Sequence, residues 1–351
     1  MTARTDSIPA TPTPFTVGIV LDPGGPLPPD TAPTLRFDRA YWAGLVHAAE
    51  GGGYDQVLFA GSSAGAAPGL DPVLLASALA PAAERIALVP EVITGALEPF
   101  HLAAAVQTLD HLSRGRAGWL VRPGPAGAGG VREDIEDASE TIAASRLLFD
   151  SWEEDAEIRD VATGRYIDRD RVHRVDYRGS RFTILGPSYV PRSPQGSPPL
   201  FLRVPALSDA EAAGRLARAE RDFALEYADT IILDATSGTH PEHTLRALRE
   251  AGATRIVIEV VPPSGPEAVS ALAERALHWH RDGVTGILLR PTILPGGPEN
   301  LDTRLLAELW GLGLPPTHGR STPSLRALLG LQPARNAFAE ARLAKVGAPG
   351  E

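Results

Sequence analysis

The sequence contains no cysteine, and this absence removes several kinds of chemistry at once. None of its 351 residues is cysteine, so disulfides, thiolate nucleophiles and cysteine-ligated zinc or iron–sulfur centres are excluded. Any redox reaction therefore requires a bound cofactor. Lysine is also scarce, with Lys345 as the single example, and we draw no function from this scarcity.

Charge and hydropathy exclude two classes of partner. The formal net charge is −10, and the arginines are scattered among carboxylates, so the chain has no basic patch of the kind that binds nucleic acid. No apolar segment is long enough to span a membrane. The Thr- and Pro-rich stretch 1–14 lacks the apolar run of a secretory signal. We expect a cytoplasmic protein that binds neither nucleic acid nor membrane.

The composition that remains is that of a globular protein with a buried core. Hydrophobic residues make up 43% of the chain and charged residues 22%. Short apolar, β-branched runs alternate with longer amphipathic segments, which is the pattern of repeated βα units. The apolar runs are 15–21, 56–60, 86–93, 117–121, 200–204, 230–233, 255–261 and 286–289.

Eight such runs in series predict an α/β fold of the closed (β/α)8 TIM barrel type rather than an open doubly wound sheet. Each run is apolar throughout, as expected for a strand that is buried on both faces. Amphipathic segments between the runs supply the helices that cover the barrel. These helices are predicted at 38–50, 72–83, 99–112, 133–152, 209–224, 241–251, 266–281 and 302–312.

Three regions describe the domain organisation. Residues 1–14 are predicted to be a disordered N-terminal segment, residues 15–313 the barrel, and residues 314–351 a C-terminal extension with one helical piece at 324–329. An excursion between the fourth helix and the fifth strand, 153–198, mixes Gly, Pro and charged residues with short extended pieces. We expect it to be ordered, with room for a β-hairpin.

Five stretches carry a resemblance to a known family, in the family's linear order. One is RIALVPEVITGALEPFHLAAAVQTLDHLSRGRAGW at 85–119, and the most specific is DSWEEDAEIRDVATGRYIDRDRVHRVDYRGSRFTILGP at 150–187. The others lie at 191–202, 279–297 and 322–331. On these stretches the chain resembles the bacterial luciferase-like flavin monooxygenases, in the branch of nitrilotriacetate and dibenzothiophene-sulfone monooxygenases.

The resemblance implies a barrel that binds reduced FMN at the C-terminal ends of its strands, receives that flavin from a separate flavin reductase, and uses O2 on a small organic substrate. It also implies the site. Cofactor-binding roles fall on Thr94 after the third strand, on Trp119 and Arg122 in the fourth, and on Arg203 and Ser208 around the fifth. Two other readings stay open: Thr94 as a helix cap and Arg122 as an ordinary surface arginine.

Several positions depart from the family pattern. The family has an acidic residue in an LAD-like motif after the second strand, where this chain has Phe59, Ala60 and Gly61 and no carboxylate. The asparagine after Trp119 is replaced by Leu120. In the loop after the fifth strand, Pro205 removes a backbone N–H that could approach the FMN phosphate, and Leu207 adds bulk there.

These departures leave two alternatives open. One is a non-catalytic luciferase-like homologue that has lost flavin and acts as a subunit or binding protein; the other is an oxidoreductase that uses the deazaflavin F420. No catalytic residue and no substrate are assigned. His101 and His111 are interpreted as structural, and no metal is expected. The resemblance implies a homodimer through helices 72–83 and 99–112, or pairing with a homologue.

Overall fold

The barrel prediction is confirmed by a computed structural model, which describes residues 14–61, 67–124, 130–208, 214–314, 317 and 324–346. Eight parallel strands close in the order β1-β12-β11-β10-β9-β4-β3-β2. The numbering follows the chain, so four short strands outside the barrel take β5 to β8. The barrel strands are β1 (Thr16–Leu21), β2 (Gln56–Phe59), β3 (Ala87–Ile93), β4 (Trp119–Arg122), β9 (Leu200–Pro205), β10 (Thr230–Asp234), β11 (Ile256–Val260) and β12 (Gly286–Leu289).

A glycine allows the barrel to close where its first and last strands meet. Gly18 on β1 pairs with Leu288 on one side and with Gln56 on the other. A Cβ atom at Gly18 would collide with the Leu288 side chain and lie 2.6 Å from Cγ of Gln56. The barrel interior is already filled at this height, so only glycine fits there.

Helices cover the outside of the barrel, as the amphipathic pattern predicts. The second shows why such a segment starts where it does: Asp71 accepts hydrogen bonds from the backbone N–H groups of Val73 and Leu74, and Pro72 takes the first helical position. The covering helices are α1 (Arg39–Gly52), α2 (Pro72–Leu79), α3 (Pro99–Leu112), α4 (Val131–Asp150), α5 (Arg215–Tyr227), α6 (Glu242–Glu250), α7 (Pro266–Arg281) and α8 (Arg304–Gly311). The start predicted for the fifth of them, 209–213, lies outside the described residues.

The excursion between α4 and β9 contains two hairpins where one was expected. Glu157–Asp160 (β5) pairs with Arg165–Ile167 (β6), and Asp176–Arg178 (β7) pairs with Thr183–Leu185 (β8). The excursion is anchored to the barrel domain, since the Trp152 indole donates to the Ser188 carbonyl at 2.8 Å.

The C-terminal residues close the end of the barrel at which the strands begin, which we call the lower end. The expected helical piece is α9 (Leu325–Leu328), and its buried leucines pack on Phe201 inside the barrel. A further helix, α10 (Ala337–Val346), was not predicted. Of the predicted N-terminal segment, residues 1–13 lie outside the described residues. No helix in the described ranges is long and apolar enough to cross a membrane.

Candidate functional site

The C-terminal ends of all eight barrel strands contribute to one cluster of polar groups. In a parallel barrel these ends meet on one face, where active sites are built. We call the cluster the mouth ring. Its members, in chain order, are Asp22, Gly61, Glu91, Arg122, Arg203, Asp234, Glu259 and Arg290.

Glu91 on β3 connects three strands in this ring. Its Oε1 accepts from Nη1 of Arg203 at 2.6 Å and lies 3.3 Å from Nε of Arg122, while its Oε2 accepts from the backbone N–H of Gly61 at 2.6 Å. The side chain is only 3% exposed. A carboxylate buried to this degree is tolerable because charged and backbone donors surround it.

Glu259 on β11 is the second buried carboxylate, and its side chain is fully buried. It accepts from Nε of Arg203 at 3.0 Å and from Arg290, which follows β12. Burial alone lowers the pKa of Arg203, but Glu259 and Glu91 outweigh burial and raise it above its usual value. Arg203 therefore stays protonated in the centre of the ring.

Two details leave the ring chemically incomplete. Burial raises the pKa of Asp22, and the Glu91 charge raises it further, against the lowering effects of the Gly24 backbone N–H and of Arg290. Nη2 of Arg203 is buried and finds no hydrogen-bond partner within the described part of the chain. Within the described residues, the ring thus contains one carboxyl group with a raised pKa and one buried N–H donor without a partner.

A cavity of about 260 Å³ lies beside the ring, toward α4 and α5. We call it the mouth cavity. Its volume falls just below the 300–1,000 Å³ that is usual for small-molecule sites. Burial raises the pKa of Glu220 in its wall. The lining residues are Val121, Arg122, Pro123, Val131, Asp134, Ile135, Leu202, Arg203, Pro205, Glu220, Phe223 and Asp234.

The structure brings together two of the residues expected in the pocket. Arg122 and Arg203 both line the mouth cavity, and Arg122 is engaged with Glu91 rather than lying loose on the surface. Thr94 is buried and accepts from the backbone N–H of Gly124 at 3.2 Å. It does not cap α3, whose N-cap is Glu98 without a side-chain bond. Ser208 is exposed at the end of its described range.

Trp119 does not reach the pocket wall where we expected it. It is the first residue of β4 and lies at the opposite end of the strand from the mouth. Its ring packs edge-on against Phe149 of α4, and its indole N–H donates to the Pro198 carbonyl at 3.2 Å. Side chains alternate along a strand, so Trp119 points outward to the helices and Leu120 points into the barrel.

Residues 205–207, at the start of the loop after β9, offer little to a phosphate. Pro205 has no N–H, the N–H of Ala206 donates to the Asp234 carbonyl at 2.7 Å, and the N–H of Leu207 donates to Oγ1 of Thr244 at 3.1 Å. A flavin therefore fits this site only in part. Two guanidinium groups and an apolar wall are present, but residues 205–207 supply no backbone cradle.

Sequence reasoning missed the carboxylates that organise the mouth. Glu91 and Glu259 each interrupt an otherwise apolar buried strand. A lone carboxylate in such a run indicates a charged partner nearby, because an unpaired buried charge is costly. This signal is present in the sequence itself. The candidate partners are Arg203 and Arg290, which lie near the C-terminal ends of two other strands.

Three of the histidines contact a backbone carbonyl or a neighbouring aromatic ring, and the structural role of His101 and His111 stays a prediction. His111 is within 3.1 Å of the Pro191 carbonyl, and Nδ1 of His280 is within 3.0 Å of the Val284 carbonyl. His101 lies beside Phe100 with the two rings edge to face. Within the described ranges, no three His, Asp or Glu side chains are placed to share a metal ion.

The sequence profile of luciferase-like monooxygenases matches residues 16–288. The chain belongs to this family. Over 274 residues it is 29% identical to one of the subunits of pristinamycin IIA synthase from Streptomyces pristinaespiralis, covering 77% of this chain and 88% of that protein. It is 30% identical over 220 residues to dibenzothiophene-sulfone monooxygenase of Rhodococcus erythropolis, covering 60% of this chain. The branch inferred from the sequence is thereby confirmed.

Several family members differ from this chain in length. The matched region spans about half of the Rhodococcus enzyme, 48% of its length. Among solved structures, the luciferase-like fold recurs in DmoA from Hyphomicrobium sulfonivorans, with a TM-score of 0.74, 19% identity, and coverage of 96% of this chain and 97% of that one. At this identity the similarity shows a shared fold and nothing further.

Proposed function

We propose that this chain acts as a flavin-dependent monooxygenase component, which takes reduced FMN from a separate flavin reductase and uses O2 on a small organic substrate. The observation that carries the proposal is the family match across a complete barrel whose mouth holds arginines and a cavity. Several relatives are named as monooxygenases.

The chain's own residues would hold the cofactor from one side of the mouth cavity. Arg122 and Arg203 would present guanidinium N–H donors to the cofactor, among them the unpartnered Nη2 of Arg203, and Pro123, Leu202 and Phe223 would form an apolar wall. Reduced flavin supplies the reaction with O2. The apolar wall would exclude water from that reaction, and Arg203 keeps its charge because Glu259 and Glu91 raise its pKa.

A second candidate function is favoured by the mouth ring itself. Glu91 and Glu259 already satisfy Arg203 in large part, and the N–H groups after β9 are already bonded. A barrel with this mouth suits a non-catalytic protein that pairs with an active homologue. The relative from Streptomyces pristinaespiralis is itself named as part of a multi-subunit synthase. No observation on the described residues favours an F420-dependent reaction.

Anaerobic titration distinguishes the two functions. The purified protein is titrated with reduced FMN, oxidised FMN and F420, and binding is followed by fluorescence and calorimetry. A monooxygenase component is expected to bind reduced FMN at about micromolar concentration. Failure to bind any of the three would remove the monooxygenase proposal and leave the non-catalytic one.

Two variants assign any binding to the mouth cavity. Arg122→Gln is expected to weaken binding of reduced FMN by roughly tenfold, because a hydrogen bond to a charged group is lost. The Arg122 side chain is 31% exposed, so the variant should still fold. The matched control is Arg178→Gln, since Arg178 lies exposed on a hairpin of the excursion. Equal affinity in both variants would place the flavin elsewhere.

We further propose that the chain forms a homodimer or pairs with a homologue through α2 and α3. Leu74 on α2 is 69% exposed and Leu112 at the end of α3 is 42% exposed. An isologous interface could bury both of these exposed leucines, which lie on neighbouring helices. Light scattering on the purified chain should give twice the monomer mass, and Leu74→Glu should lower it. A monomer at all concentrations would contradict the homodimer.

A further inference from the structure

A second charged cavity lies at the opposite end of the barrel, below the N-terminal ends of the strands. It measures about 520 Å³, within the usual range for a ligand site. We call it the basal cavity. The end of α4, the residues before β9, β10 and β11, and the C-terminal extension form its wall. The lining residues are Arg146, Asp150, Ser197, Asp229, Arg255, Arg326, Gly330, Leu331, Gln332, Pro333, Ala334 and Arg335.

The basal cavity contains more positive than negative charge. Four arginines and two aspartates are among the described residues that line it. This excess is local, because the whole chain has a formal net charge of −10. A concave surface whose charge opposes that of the molecule concentrates small ions of the other sign.

Three of these arginines donate to neutral carbonyl groups. Arg146 donates to the Tyr227 carbonyl at 2.7 Å, and Arg255 donates to the Leu329 and Gly330 carbonyls at 2.8 and 2.7 Å. Arg326 donates to the carbonyls of Ser197 and Gln332. These bonds satisfy N–H groups and fix the guanidinium planes, but a carbonyl does not neutralise a charge.

The two aspartates are occupied elsewhere. Asp150 accepts from Nη1 of Arg192 at 2.7 Å, so that pair is internally balanced. Asp229 accepts from the backbone N–H of Leu200 at 2.8 Å and comes no closer to Arg326 than 4.0 Å. The positive charge of Arg146, Arg255 and Arg326 is therefore left largely uncompensated.

The pKa of Arg326 reflects the repulsion between these arginines. Burial lowers the pKa of Arg326 most, the Asp229 charge raises it, and the smaller effects of the Arg146, Arg192 and Arg255 charges lower it further. A bound anion would relieve this repulsion. The fourth arginine, Arg335, is 86% exposed at the rim and makes only a loose 3.7 Å ion pair with an exposed glutamate, so it is free to turn toward a ligand.

We propose that the basal cavity binds a compact, multiply charged oxyanion of the phosphate or pyrophosphate class. The N–H groups of these fixed guanidinium planes that do not bond to carbonyls can donate to the tetrahedral oxygens of such an anion. The carbonyl contacts have already fixed three of the arginines, so little side-chain entropy is lost on binding. The site is independent of the function proposed for the mouth.

Calorimetric titration of the full chain with pyrophosphate tests the proposal. Wild-type protein is expected to bind with a dissociation constant at or below about 1 mM. The double variant Arg146→Gln/Arg335→Gln should bind roughly tenfold more weakly or worse. The control Arg275→Gln removes an arginine that packs over Trp279 on α7 and should leave affinity unchanged. No binding heat, or equal binding by the double variant, would overturn the site.

A footprinting experiment covers the case in which the double variant fails to fold. Wild-type protein is modified with an arginine-selective dicarbonyl reagent, with and without pyrophosphate, and the modified positions are mapped by mass spectrometry. Pyrophosphate should protect Arg146 and Arg335 and leave the exposed Arg132 and Arg178 reactive. Equal modification of all four arginines in both conditions would contradict the proposal.

Discussion

The two ends of the barrel treat arginine in opposite ways. At the mouth, Arg203 is held by two buried carboxylates from other strands, Glu91 and Glu259. At the base, Arg255 and Arg326 are held by backbone carbonyls of the C-terminal extension. At the mouth, carboxylates neutralise the arginine charge. At the base, backbone carbonyls hold the guanidinium groups in place without neutralising them. The mouth is therefore closed electrostatically, whereas the base remains attractive to anions.

An apolar interior separates the two ends of the barrel, so the arginines at one end can have different partners from those at the other. A separate apolar cluster fills the barrel from Val20 and Leu58 down to Phe201, and Leu325 of α9 seals it from below. Burial of this apolar surface stabilises the fold without help from the ring. Buried ion pairs seldom add stability over an apolar replacement. We therefore attribute the mouth ring to the function of the site rather than to the stability of the barrel.

The largest effect is expected from removing the fully buried carboxylate of the ring. Glu259→Leu takes away the counter-charge that Arg203 and Arg290 share, and we expect a loss of about 3–5 kcal/mol in the free energy of unfolding. Denaturant unfolding followed by circular dichroism measures it. The control Glu340→Leu removes an exposed carboxylate and should cost little. If Glu259→Leu were as stable as wild type, the claim that buried carboxylates neutralise the arginines at the mouth would be wrong.

A smaller loss is expected at the base, and it should leave the mouth untouched. Leu325→Ala opens a cavity under Phe201, at about 3 kcal/mol of unfolding free energy. Because the apolar interior separates the two ends, flavin binding measured by anaerobic titration should match that of wild type. The exposed Leu343→Ala is the control. Altered flavin affinity in Leu325→Ala would show that the two ends are coupled.

The sequence predicted the barrel because each strand is buried on both faces and so reads as a continuous apolar run. It did not predict α10, which follows a Pro- and Arg-rich stretch and depends on distant contacts. Arg342 of α10 binds Glu153 of the excursion, and Phe338 stacks on His173. Partners this far apart in the chain leave no local pattern.

The candidate site was predictable only in part for the same reason. Arg122 and Arg203 were predicted because the family resemblance implied cofactor contacts on the fourth and fifth barrel strands, and both line the mouth cavity. Their partner Glu91 belongs to a strand distant in the chain from Arg203, so the pairing depends on barrel closure. Trp119 was misplaced because a motif gives the order of residues but not the side of the strand on which each lies.

A buried carboxyl group at the base makes the stability of the fold depend on pH. Asp55 lies at the lower end of β2, where burial raises its pKa to about 6 against the hydrogen bonds from Thr317 and Val17. A raised carboxyl pKa contributes stability that is fully present below the unfolded value, near 3.8, and is lost as pH rises through about 6. We expect unfolding free energy to fall by about 3 kcal/mol across this window.

The variant Asp55→Asn tests this contribution. It keeps an oxygen for the Val17 N–H but cannot ionise, so its unfolding free energy should vary less between about pH 4 and pH 7 than that of wild type. Denaturant unfolding at several pH values measures the difference. Parallel pH profiles for the two proteins would assign the dependence to another group.

The smallest effect is expected from an ion pair that belongs to neither end. Arg132 and Glu136 lie four residues apart on α4, 3.0 Å from each other, with the arginine side chain 87% exposed. Water screens such a pair, so Arg132→Ala should change unfolding free energy by less than about 0.5 kcal/mol, and added salt should remove the change. The same salt should affect Glu259→Leu far less, because the ring is buried. If salt erased both effects equally, the distinction between a closed mouth and an open surface would fail.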